Sequence, residues 1–160
     1  MNWTTLTFGK HAGMSLPQII LADADWFFWA FNNGVFWGKI ATEAEDLAAK
    51  AKAIKIPKRH PENWIVEYRF ENDGRFLEFG FARVDASSYC GERWVSRLPY
   101  LDLTFIRRRR VYDKRGCRRL LRDFRRLYFG DGIRLTKDRC EEFFSKRRNF
   151  LRSAKATQRQ

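Results

Sequence analysis

The chain has 160 residues and a formal net charge of +13, from 32 Lys+Arg against 19 Asp+Glu. Its hydrophobic content of 44% and aromatic content of 16% supply an ample core and argue against a disordered chain, while the length fits one domain or a small module beside a larger one. Three dispersed cysteines (Cys90, Cys117, Cys140) and two histidines (His11, His60) argue against a disulfide framework and against a Cys/His zinc site.

The expected elements run as follows. Trp3 to Phe8 alternates Thr with apolar residues and reads as a short strand. Gly9 to Gly13 is a tight turn with two glycines available for positive φ. Ser15, Pro17 and Gln18 form a capping-box start for a short helix. A second helix begins at Asp23 or Asp25, carries Trp26 to Phe31, and stops at Asn33-Gly34. A third, opened by Thr42, runs from Glu43 to about Ile54 and ends ahead of Ile56-Pro57. Residues 57–61, proline-bracketed and polar, are the expected linker.

Beyond the linker the period becomes two. Trp64, Val66, Tyr68 and Phe70 share one face of a strand, and Glu71 to Gly74 is a hairpin turn. The return strand runs from Arg75 to about Val84, with Leu77, Phe79 and Phe81 together on one face. A loose Gly/Ser stretch covers 85–92, Trp94-Val95 is a short strand, and 100–108 is expected as the third clear strand of an antiparallel meander.

The last third turns helical. Over residues 113–128, Arg115, Arg119, Arg122 and Arg126 fall along one line, flanked by Arg118 and Arg125. Cys117, Leu121, Phe124 and Tyr128 fall opposite. Gly130 to Gly132 ends this helix, and Thr136 caps a final one to about Leu151, with Cys140, Phe143, Phe144 and Phe150 as its apolar side. Residues 153–160 read as a disordered tail. These elements predict an α+β protein: a small αβ module (1–56), the linker, then an antiparallel sheet packed with C-terminal helices (62–152).

The charge is unevenly placed. Residues 1–100 carry 12 Lys+Arg against 12 Asp+Glu, whereas residues 101–160 carry 20 against 7 and so hold the entire surplus. Such asymmetry, dominated by Arg, points to a polyanion, because the guanidinium fork matches phosphate geometry. Arg107, Arg108, Arg109, Arg110, Arg115, Arg118, Arg119, Arg122 and Arg126 are the candidate footprint. Lys10 and His11, in a Gly-Lys-x-x-Gly turn that can offer N–H groups and a cation, are a second candidate contact. A solvated basic face and a helix–turn–helix spanning 113–152 are the competing interpretations of the same pattern.

The run Phe8-Gly9-Lys10-His11-Ala12-Gly13, followed by Leu16, Ile19, Asp25-Trp26 and Trp29, resembles the small module at the C-terminus of exodeoxyribonuclease X and its stand-alone relatives. That module reads Phe-Gly-Lys-Tyr-x-Gly, then a Leu-x-x-Ile helix, then an Asp-x-x-Tyr-Leu-x-Trp helix. The likeness covers about residues 5–55, with His11 in place of Tyr and Trp26-Phe27 in place of Tyr-Leu. It implies a compact module that assists nucleic-acid engagement beside a nuclease. Only seven residues precede Phe8, so a binding accessory is expected here rather than an exonuclease.

No Asp-x-Glu pair at a strand end and no nucleophile–base order stands out; Glu67 and Glu78, which could face each other across the hairpin, are expected to pair with Arg69 or Arg75. The expectation is a non-enzymatic nucleic-acid-binding accessory protein for DNA or RNA, with no metal or cofactor and no membrane partner, in a reducing cytoplasmic setting. A nuclease or larger nucleoprotein complex is the expected additional partner. The alternative class is a protein-interaction subunit or a phage-type inhibitor of such a complex, using its aromatics and arginines as hot spots.

Overall fold

The computed structural model describes residues 2–57, 62–86, 94–109 and 112–152. Four expectations fall wholly or partly outside them: most of the linker (58–61), most of the Gly/Ser stretch (87–92), Arg110 and the tail.

The fold is α+β. Three N-terminal helices, α1 (Leu16–Ala22), α2 (Ala24–Asn32) and α3 (Gly38–Ala51), precede a three-stranded antiparallel sheet of β1 (Trp64–Phe70), β2 (Phe76–Arg83) and β3 (Trp94–Leu98). Then come α4 (Lys114–Phe129), α5 (Lys137–Ser145) and a 3-10 turn, Arg147–Asn149. The helix starts are chemically explicit. Gln18 accepts the Ser15 N–H at 3.0 Å, Asp23 accepts from the Trp26 N–H, and Asp113 accepts from the Gly116 N–H. Gly34, at φ +66°, supplies the left-handed residue that lets the chain leave α2.

Several boundaries differ from the periodicity. Trp3–Phe8 forms no strand; Thr5 makes one bridge, to Ser15. The third helix starts at Gly38 rather than Glu43, and Glu43 is buried inside it, where its carboxylate accepts the Thr4 N–H and hydroxyl. It stops at Ala51 because Ile54 pairs with Leu101 and Phe150 instead of continuing the helix. Residues 100–108 are not a strand. Leu101, Leu103 and Ile106 are buried from successive turns, and the third strand is β3. The strand order β2-β1-β3 puts β1 in the middle, so the sheet is not a meander. On β2, a bulge pairs Phe70 with Phe76 while Arg69 pairs with Glu78. The extra residue, Leu77, shifts the buried face to Phe76 and Phe79. The last helix is shorter than expected, ending at Ser145, with Phe150 inserted after the 3-10 turn.

One buried cluster runs through both halves of the chain, from Leu6 and Phe27 through Tyr68 and Phe79 to Phe124 and Phe144. α4 lies across β2, and α5 packs on α1. Polar ties cross between the halves. Trp3 Nε1 donates to Ser145 Oγ at 3.2 Å, Lys50 Nζ to the Phe144 carbonyl at 2.9 Å, and Tyr128 OH to the Lys55 carbonyl at 2.9 Å. Among the described residues no helix is long and apolar enough to cross a membrane.

Candidate functional site

Most of the candidate arginines are committed within the fold. Arg119 donates to the Phe76 carbonyl at 3.2 Å, fastening α4 to β2. Arg122 pairs with Asp123 at 2.9 Å, and Arg126 reaches the same oxygen at 3.9 Å. Asp123 is itself buried and accepts the Phe79 N–H at 3.2 Å. A carboxylate that periodicity puts at the edge of the arginine stripe is therefore a core acceptor that draws two stripe arginines toward it. Arg125, expected only as a flank, turns inward, and its Nε donates to the Leu21 carbonyl at 2.9 Å. Arg108 is held by buried Asp102 and by Thr104. The Arg109 guanidinium sits over the Phe70 and Trp94 rings at 4.0 and 4.2 Å, where burial lowers its pKa. Arg115 and Arg118 are exposed, with no ion pair or hydrogen bond among the described residues.

The expected second contact joins the first. The turn carrying Lys10 and His11, the start of α2, Arg107 and the first turns of α4 enclose one cleft of about 780 Å³. Lys10, His11, Arg107, Lys114 and Arg118 face it. Its floor is apolar, built from Met14, Leu103, Leu120 and Leu121. Trp29 and Tyr112 stand at its edge, 52% and 54% exposed. Arg118, expected as a flank of the stripe, lines this cleft together with Lys10 and His11.

Two carboxylates organise the wall. Asp23 caps α2 and also receives Lys10 at 2.8 Å and His11 Nε2 at 3.0 Å. Burial alone would raise its pKa, but Lys10, the Trp26 N–H and His11 together hold it below the ordinary carboxylate value. Asp25 receives Arg107 at 2.5 Å and the Tyr112 hydroxyl at 2.5 Å. Burial, with Asp25 beside the ring, pushes Tyr112 up to about 12, so it stays a phenol at neutral pH. Burial likewise pushes the Cys117 thiol in this cleft up to about 12.

These pairings divide the cations. Lys10 and Arg107 are matched by Asp23 and Asp25, whereas Lys114 and Arg118 on the α4 side have no partner among the described residues. The cleft thus has an apolar floor, aromatic edges and a positive α4 rim, an arrangement suited to a ligand with a flat apolar part and an anionic part.

On the sheet's outer face, Glu67 and Glu78 do not sit opposite one another. Glu78 pairs in register with Arg69, whose guanidinium takes Glu67 at 2.9 Å and Glu78 at 3.2 Å. Arg97 closes on Glu67 at 2.8 Å. Among the described residues no group of three or more His, Cys, Asp or Glu side chains could hold a metal ion. Sequence periodicity did not single out Trp29, Tyr112, Lys114 or Arg107's pairing with Asp25; Trp29 carried a signal only as part of the run that resembles the exodeoxyribonuclease X module. In comparisons with known proteins, no protein family, no curated protein and no solved structure matches the chain.

Proposed function

We propose that the protein is a non-catalytic nucleic-acid-binding accessory protein whose primary contact is this cleft and its positive rim, extended by the exposed arginines of α4. The observation that carries this reading is the convergence of Lys10, His11, Arg107, Lys114 and Arg118 with Trp29 and Tyr112 around one cleft. Cations beside exposed rings are the two ingredients of sequence-tolerant nucleic-acid binding. The likeness of residues 5–55 to the exodeoxyribonuclease X C-terminal module agrees in function class, and the Lys10 turn that carries it forms part of the cleft. A nuclease or larger nucleoprotein complex is the partner such an accessory would serve.

The test is fluorescence anisotropy with labelled single strands and duplexes, in DNA and RNA, across a salt series. A log-linear fall of affinity with salt supports the reading, since phosphate neutralisation releases counterions. Weak binding to every probe at physiological salt would replace it with the protein-interaction reading. Trp37, exposed and stacked on Phe8 at 4.8 Å, would then be the first surface to probe.

A further inference from the structure

Resting on that reading, we infer that the cleft takes one unpaired nucleotide of a single strand, base inward and phosphate on the α4 rim. The polarity of the cleft sets this orientation. Its floor, of Met14, Leu103, Leu120 and Leu121, offers nothing to a phosphate but can cover the face of a base. Asp23 and Asp25 line the inner wall and repel phosphate from it, while Lys10 and Arg107 are already engaged with them. Lys114 and Arg118, which have no partner among the described residues, lie on α4, where a backbone crossing the cleft mouth would pass. Trp29, half exposed at the cleft edge, gives the entering base a ring to stack on. A volume of about 780 Å³ lies within the size range of small-ligand sites. The paired bases of a duplex, stacked on both faces, cannot enter it without being flipped out.

The experiment compares three probes of one length: a single strand, the same strand with a central tract of abasic sites, and the duplex, each as DNA and as RNA. Wild type, Trp29→Ala and Trp29→Phe are measured, with circular dichroism and thermal melts as the fold check. The expected result is a preference for the intact single strand, weakened roughly 5- to 100-fold by the abasic tract, the loss typical of a stacked base. Trp29→Ala should produce a loss of similar size and make the protein indifferent to the abasic tract, while Trp29→Phe retains most affinity. The DNA and RNA arms identify which strand supplies the nucleotide. Binding that persists unchanged with abasic or duplex probes would overturn base insertion while leaving nucleic-acid binding intact. Absence of binding to all probes would overturn both. The abasic comparison on wild type stands even if Trp29→Ala does not fold.

Discussion

Replacing Lys114 and Arg118 together by Gln separates the cleft rim from the outward stripe of the same helix. Both side chains are exposed and without partners among the described residues, so the substitution removes charge with little structural cost, expected within about 0.5 kcal/mol of wild-type stability. Each phosphate contact to a single strand releases about 0.7 of a counterion, which at 0.15 M salt is worth about 0.8 kcal/mol. Losing two such contacts should therefore weaken binding roughly 15-fold and flatten the log–log salt slope by about 1.4. The matched control is Arg115→Gln with Arg126→Gln, two arginines that do not line the cleft, one of them partly engaged by Asp123. Anisotropy titrations at four or five salt concentrations give both quantities for both variants. A control that loses as much affinity and slope as the rim variant would refute the cleft as the primary contact and return the footprint to the whole stripe.

Two further predictions concern the scaffold. Asp123→Ala leaves the buried Phe79 N–H without its acceptor and releases Arg122, and urea unfolding should show a loss of about 2 to 3 kcal/mol; a loss under about 0.5 kcal/mol would mean that Asp123 does not anchor α4 to the sheet. Burial holds the folded thiols of Cys117 and Cys140 up at about 12 and 11, so both should alkylate far more slowly at pH 8 than glutathione, by mass mapping. Because their folded values lie above the unfolded one, their contribution to stability is complete below about pH 8.5 and is lost as pH rises toward the folded values. Alkylation of Cys117 at the glutathione rate would show that the cleft is open at that point.

Local chemistry alone determined a good part of this fold. The Asp23 cap and Asn33-Gly34 stop bracket α2, the alternation from Val66 to Phe70 gives β1 its buried face, and the two-sided run from Lys114 to Phe129 gives α4. These signals lie within a few residues of one another, where hydrogen bonding and side-chain period act directly. The stretch 100–108 misleads for the same reason. Its alternating Leu101, Leu103 and Phe105 satisfy a strand pattern, yet Leu101, Leu103 and Ile106 are buried from turns, because Asp102 and Thr104 close hydrogen bonds locally and Tyr68 OH accepts the Asp102 N–H at 2.9 Å. Net charge on the C-terminal third was equally plain, but its use was not. Whether an arginine meets solvent or a carbonyl depends on what the fold brings opposite it: Leu21 for Arg125, Phe76 for Arg119, Asp25 for Arg107. The site has the same origin. Lys10 and Arg118 are far apart in the chain and share a cleft only because α1 and α2 pack against α4. Composition supplies the surplus of cations; only long-range packing decides which of them are left without a partner among the described residues.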